Sequence, residues 1–222
     1  MQELDYGVVL SRCNHQNNHL RVLSQQHGKI ALHISSFNKV QHFNAGMLIA
    51  FGPTETKKNC LQTRHCSLVV QPNITTHADI IWLHHMLEAS NFFIPLCHPF
   101  PDGFIFFYNC YQMLELYKNC PEDWKLIKKL CTAVLYTLFG FFPPPLLARA
   151  ISPLQQHLLS SLDFTNATTI NFFAQLNAKT PAISEHSIDF WLASCIQSHP
   201  QACDFKTYAI PRLKSAKTTK PN

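Results

Sequence analysis

Residues 6–72 read YGVVLSRCNHQNNHLRVLSQQHGKIALHISSFNKVQHFNAGMLIAFGPTETKKNCLQTRHCSLVVQP, and this stretch decides the fold class. Short apolar segments rich in Val, Ile, Leu and Phe alternate with breaks that carry Asn, Gly and Pro, which is typical of strands joined by turns. The predicted strands are Tyr6–Arg12, His19–Gln25, Lys29–Ser35, Met47–Pro53 and Cys60–Val70. Five short strands within about seventy residues predict a five-stranded OB-type β-barrel.

Positive charge is concentrated at the two ends of the chain. Residues 1–72 hold seven Lys/Arg against three Asp/Glu, residues 73–204 hold six against ten, and residues 205–222 hold five and no acid. A basic OB barrel is most often a nucleic-acid platform. We therefore expect phosphate contacts from the basic residues of the barrel, with an ordinary solvated surface charge as the alternative for each. These residues are Arg12, Arg21, Lys29, Lys39, Lys57, Lys58 and Arg64.

Aromatic residues offer a second candidate contact with nucleic acid. Phe37 and Phe43 lie between the third and fourth predicted strands, where they could stack on bases. Packing in the core or at a hinge is the favoured alternative for both. The cluster Phe104–Phe107 sits at helical spacing and is interpreted as core.

The period of the apolar residues changes from two to 3.6 after Pro72, which predicts an all-α helical domain. Helices are expected over His77–Ser90, from Asp102, from Pro121 to Phe142, over Leu146–Leu162 and Asn166–Ala178, and after a cap at Ser184. The predicted class is therefore α+β, with an OB-type nucleic-acid-binding domain over 1–72, a helical domain over 73–205 and a flexible basic tail over 206–222. We expect a barrel this small to pack against the helices.

Sequence motifs indicate neither an enzyme nor a cofactor. The chain has six glycines and none of the Gly-rich phosphate loops, and its nine cysteines form no CxxC pair. The thirteen histidines are interpreted as scattered surface or hydrogen-bonded residues rather than as a metal site. Met1–Tyr6 is not followed by the apolar core of a signal peptide, so we expect a cytoplasmic protein with reduced thiols. The longest apolar run, Val134–Ala148, contains three prolines and is too short to span a bilayer, so no membrane segment is expected.

The order of residues resembles the RecO (recombination protein O) family. The resemblance rests on Gly7–Leu10, Arg12, Leu20–Leu23, His27–Ile30, Ala45–Leu48 and Phe51, followed by helical segments at Ile80–Glu88 and Lys128–Phe142. The last of these ends in Leu135–Phe141 before Pro143, where the family has a Leu-x-x-Leu-Gly-Tyr-x-Pro pattern. Many members carry a cysteine zinc site after this helix, whereas this chain has prolines there.

This resemblance implies a recombination mediator. Such a protein binds single- and double-stranded DNA, anneals complementary strands, and works with RecR and the single-stranded DNA-binding protein to assist RecA loading. It uses no cofactor and takes no small-molecule substrate. Two alternatives remain open from the residues alone. One is a scaffold that binds a protein partner or RNA without annealing DNA, and the other is a cysteine- or metal-dependent enzyme.

Overall fold

The computed structural model describes residues 4–12, 18–35, 42–52, 54–57, 60–74, 76–117, 121–160 and 184–200. Within them the chain forms an N-terminal sheet followed by helices, so the predicted α+β class is confirmed. The strands are β1 (Asp5–Arg12), β2 (His19–Ser24), β3 (Gly28–Ile34), β4 (Leu48–Phe51), β5 (Thr54–Lys57), β6 (Cys60–Thr63) and β7 (Cys66–Val70).

Hydrogen bonding joins these strands into one seven-stranded mixed sheet in the order β5-β6-β3-β2-β1-β4-β7. The sequence predicts a closed barrel of five strands, and this pairing does not show one. The count differs because the predicted fifth strand is broken at Arg64–His65, while β5 continues the fourth strand beyond a bend at Gly52. Gly52 has φ 152° and donates its N–H to the His65 carbonyl at 3.1 Å, so the two breaks face each other.

The four short strands make one bent antiparallel hairpin. Leu48 to Phe51 of β4 pair with β7, and Thr54 to Lys57 of β5 pair with β6. One half of this hairpin borders β1 through β4, and the other half borders β3 through β6, which runs parallel to β3. The hairpin therefore contacts both outer strands of the β1–β2–β3 meander.

Five helices follow the sheet in the described residues, namely α1 (His77–Phe93), α2 (Asp102–Tyr117), α3 (Pro121–Leu138), α4 (Pro145–Ser160) and α5 (Glu185–Gln197). Ser184 caps α5 as predicted, since its side chain accepts the Ser187 N–H at 3.2 Å. The prediction that α3 extends to Phe142 is wrong, because the helix ends at Leu138 before Gly140 at φ 93°, and Phe142 is 92% exposed. The predicted helix Asn166–Ala178 and the predicted tail lie outside the described residues.

Alternation along the strands produces two apolar cores. One face buries Val9, Leu20, Val22 and Ile30 within the sheet. The other face contributes Val8, Leu10, Leu23 and Leu48 to a larger core shared with the helices. The expected packing of the strand domain against the helices is therefore confirmed. The aromatic cluster of α2 also lies in this core, as predicted, with Phe106 and Phe107 fully buried.

A buried carboxylate holds the start of α1 against α3. Asp79 accepts hydrogen bonds from Trp124 Nε1 at 2.9 Å, Lys128 Nζ at 2.9 Å and Thr76 Oγ1 at 2.6 Å. Thr76 is also the N-cap of α1 and accepts the Asp79 N–H. Burial alone would raise the pKa of Asp79, but these hydrogen bonds and the Lys128 charge outweigh it and lower the pKa.

A left-handed glycine brings the β2–β3 turn against the connection between α1 and α2. Gly28 has φ +70°, and a Cβ built on it would lie 1.7 Å from the backbone oxygen of His98. Gly140 has φ +93° with nothing within 4 Å of a Cβ. A substitution at Gly140 therefore measures only the free-energy cost of the left-handed conformation.

Replacing Gly28 with Ala is expected to destabilise the protein more than replacing Gly140 with Ala. The left-handed conformation costs about 1–3 kcal/mol at either site, and only Gly28→Ala must also displace the His98 backbone. Urea unfolding of both variants measures the difference. Equal losses at the two sites would contradict the contact with His98.

Candidate nucleic-acid interface

Two of the predicted strands, β2 and β3, place a row of cationic and titratable side chains on their outer face. The antiparallel register sets His19 opposite His33, Arg21 opposite Ala31, and Leu23 opposite Lys29. Since alternate residues of a strand share a face, His19, Arg21, Lys29 and His33 lie on one face. We call these four residues the β2–β3 cluster.

Arg21 and Lys29 meet at the C-terminal end of α1. Arg21 Nη1 donates to Asn91 Oδ1 at 3.3 Å, and Lys29 Nζ donates to the Asn91 carbonyl at 2.7 Å. The last carbonyls of a helix carry partial negative charge and favour cations. Asn91 therefore fixes both side chains with neutral acceptors.

The charges of Arg21 and Lys29 are not balanced by an ion pair within the part of the chain that the structure describes. Burial and then the nearby Arg21 charge lower the pKa of Lys29 to about 8. Arg21 Nε is buried without a hydrogen-bond partner. Two cations close enough to repel each other, with a donor left unused, make a site that an anion would stabilise.

The lysines of the helical domain provide the contrast. Lys128 lies 2.9 Å from Asp79, Lys129 lies 2.6 Å from Asp189, and Lys125 lies 3.0 Å from Glu185. Each of these ammonium groups is already neutralised by a carboxylate. Uncompensated positive charge is therefore a property of the β2–β3 cluster and not of α3.

The two histidines extend the cluster along the sheet. The His19 and His33 ring centroids are 4.7 Å apart, and His19 Nδ1 is buried without a hydrogen-bond partner. Burial and then the neighbouring His33 lower the pKa of His19. At neutral pH the His19 ring thus supplies hydrogen-bonding and stacking surface more than charge.

Arg12 and Arg64, two further predicted phosphate contacts, lie at other positions on the strand domain. Arg12 Nε donates to the Phe43 carbonyl at 3.0 Å and its Nη2 to Asn44 Oδ1 at 3.1 Å, which ties β1 to the segment before β4. Arg64 is exposed directly after Thr63, whose partner on β3 is Ile34. Arg64 therefore lies at the end of β3 that carries His33.

Three predicted contacts have no described side chain. Lys57 is the last residue of β5, and Lys39 and Lys58 lie outside the described residues. Of the predicted set, Arg21 and Lys29 are the pair that the described residues bring together. Lys29 is 7% exposed, so it adds positive potential behind Arg21 rather than an open surface contact.

Phe43 is 5% exposed and belongs to the core within the sheet. The favoured expectation of core packing is confirmed for it, and base stacking by this ring is excluded in this conformation. Phe37 lies outside the described residues.

Sequence reasoning missed His19, His33 and Asn91. The parity of His19-x-Arg21 on β2 and of Lys29-x-x-x-His33 on β3 was a usable signal, since it places all four side chains on one face. Asn91 could not be found this way, because it reaches the cluster through tertiary packing of α1.

Two clefts in the described part of the chain are lined by residues outside the cluster. One, of about 470 Å³, is bordered by the β2–β3 turn and the β5–β6 hairpin. The other, of about 520 Å³, lies between the start of α4 and α5. The described residues include no group of three His, Cys, Asp or Glu side chains placed to hold a metal ion. Nor does any described helix have the length and apolar character needed to cross a membrane.

No protein-family model matches this chain, and no curated protein matches it significantly. Function is therefore inferred from the geometry of the site and from the resemblance in residue order.

Proposed function

We propose that this protein is a RecO-like recombination mediator that binds DNA on the outer face of β2 and β3. The observation that carries the proposal is the pair Arg21 and Lys29, two cations held by the neutral Asn91 with no carboxylate partner among the described side chains. In OB folds the face of strands two and three is the usual contact for oligonucleotides.

Strand connectivity supports an OB-type barrel as part of this proposal. β1, β2 and β3 form an antiparallel meander, β6 runs parallel to β3, and β4 runs antiparallel to β1. Counting β4–β5 and β6–β7 as two bent strands gives five strands in the order expected of an OB fold. The bends at Gly52 and at Arg64–His65 would let the hairpin wrap from β1 to β3.

Annealing of two DNA strands needs no covalent chemistry. A cationic surface neutralises phosphates on both strands and lowers their repulsion, while the bases stay free to pair. Arg21 supplies the accessible charge, Lys29 raises the local potential, and Arg64 continues the positive surface beyond His33. By the resemblance, RecR and the single-stranded DNA-binding protein are the proposed protein partners, and the cytoplasm is the proposed location.

Strand annealing is the direct test of this function. The protein should speed the pairing of two complementary labelled oligonucleotides, and Arg21→Gln should remove most of the acceleration. Arg149→Gln is the matched control, because Arg149 is exposed on α4 and far along the chain from the sheet. An annealing rate equal to the spontaneous rate, with or without the single-stranded DNA-binding protein, would refute the annealing function.

A second candidate function is the docking of a protein partner by the helical domain without annealing of DNA. The cleft between α4 and α5 is bordered by Leu146, 64% exposed, and Phe190, 61% exposed. Exposed apolar surface of this kind is typical of interaction sites. Under this alternative, Phe190→Ser abolishes binding of the protein partner, while Arg21→Gln leaves that binding intact.

A further inference from the structure

Two cysteines from distant parts of the sequence border the cleft at the end of the sheet. Cys60 begins β6 and Cys97 lies in the connection between α1 and α2, and both line the cleft of about 470 Å³. Cys97 is exposed, Cys60 is half-buried, and neither is in a disulfide. Both residues therefore border a cleft that a small oxidant in solvent can enter.

Strand register brings these two residues close to each other. Leu96 forms a parallel bridge with Lys29, and the Cys97 N–H donates to the Lys29 carbonyl at 2.8 Å. Leu61 pairs in parallel with Leu32, which places Cys60 beside Ala31.

The other side of β3 is occupied by β2, so Leu96 and Cys60 lie along the same side. Their positions are two residues apart, roughly 7 Å along the strand. Because the bridge is parallel, Cys97 follows Leu96 in the direction of Cys60. Disulfides join residues whose Cα atoms are about 4.4–6.8 Å apart, so the register places this pair near bonding distance.

We propose that Cys60 and Cys97 are a thiol oxidation site that forms a reversible disulfide. With oxidised glutathione as the oxidant, the Cys97 thiolate attacks one glutathione sulfur and releases the other as reduced glutathione. The Cys60 thiolate then attacks the Cys97 sulfur and releases the second glutathione. Two protein thiols lose two electrons and two protons, and the glutathione disulfide gains both.

The new bond links β6 directly to the connection that borders Lys29. This connection leads out of α1, which carries Asn91. The disulfide would therefore restrain Asn91, which accepts hydrogen bonds from Arg21 and Lys29. The buried pair Cys110 and Cys131 offers the contrast, because both residues have 0% exposure. Burial and the neighbouring Cys131 raise the pKa of Cys110 well above its usual value, so this pair is expected to stay reduced.

Peptide mapping of the full chain tests the site. The protein is incubated with oxidised glutathione, remaining thiols are alkylated, and protease fragments are identified by mass spectrometry without reduction. The expected product is a crosslinked peptide joining Cys60 to Cys97 that disappears on treatment with dithiothreitol. Cys60→Ser should leave Cys97 as the mixed disulfide with glutathione, while Cys66→Ser, which changes a buried cysteine, should leave the crosslink intact.

Two results would overturn the proposal. One is that wild-type Cys97 is recovered alkylated or only as the glutathione adduct. The other is that Cys97 is crosslinked mainly to a cysteine other than Cys60.

Discussion

Asp79→Ala is expected to lower the free energy of unfolding by about 3–5 kcal/mol, the typical loss when one partner of a buried ion pair is removed. The substitution leaves the Lys128 ammonium, whose side chain is 12% exposed, without its carboxylate. It also removes the acceptor of Trp124 Nε1 and the partner of the Thr76 cap. All three groups lie where α1 contacts α3, so the substitution weakens the packing of these two helices.

Asp102 provides the matched control for this prediction. It is an exposed acidic residue in the first turn of α2, and Asp102→Ala should cost less than about 1 kcal/mol. The double variant Asp79→Ala, Lys128→Met should recover part of the loss, because the unpaired ammonium is gone. Urea unfolding of the four proteins gives these values. A loss for Asp79→Ala no larger than for Asp102→Ala would contradict the role of this ion pair.

Acidification between about pH 6.5 and 4 is expected to destabilise the protein by up to about 3 kcal/mol through His85 alone. His85 is 6% exposed, and its ring lies beside Tyr136, with Nε2 and the Tyr136 hydroxyl 3.3 Å apart. Burial lowers the pKa of His85 from 6.5 to about 4, and the nearby Glu88 opposes this only in part. Below pH 6.5 the unfolded chain takes up a proton that the folded protein excludes, so stability falls as pH falls.

Unfolding measured at several pH values tests this origin. His85→Gln removes the titrating group and should flatten the pH dependence between 6.5 and 4 by most of that amount. His84→Gln changes the adjacent residue, which is exposed on the same helix, and should keep the wild-type slope. Parallel curves for the wild type and His85→Gln would assign the acid sensitivity to other groups.

Local patterns predicted those parts of the fold that depend on neighbouring residues. Period-two alternation located β1, β2 and β3, and the Ser184 cap located the start of α5. The α3 stripe identified Ile127, Leu130 and Val134 as buried. These features are decided by which side of a strand or helix faces the core, and that information is contained within about a dozen residues.

The end of α3 was also a local feature that the apolar pattern alone missed, since the pattern continues to Phe142 while the helix ends before Gly140. Predictions that depend on contacts between distant segments were less complete. The number of strands also differed, because the bend at Gly52 is set by its contact with His65 across the hairpin. Propensity alone does not distinguish one long strand from two bent halves.

The candidate site was predictable in its residue type and only partly in its geometry. Charge counting pointed to the strand domain, and Arg21 was among the expected contacts. That Lys29 is buried against Asn91 required the packing of α1, which no pattern in residues 1–72 contains. The partners of these cations likewise become visible only in three dimensions. Carboxylates of α1 and α5 pair with the lysines of α3, whereas Asn91 of α1 accepts from Arg21 and Lys29.

We propose that the β2–β3 cluster binds nucleic-acid phosphates, and the salt dependence of affinity tests this binding most directly. Fluorescence anisotropy with a labelled single-stranded DNA should show log affinity falling linearly with log salt, by about 0.7 for each phosphate neutralised. Arg21→Gln should weaken binding about tenfold, or about 1.4 kcal/mol, and make the slope shallower by about 0.7. Arg149→Gln should match the wild type in both. Absence of binding at low salt, or an unchanged affinity and slope in Arg21→Gln, would contradict the account.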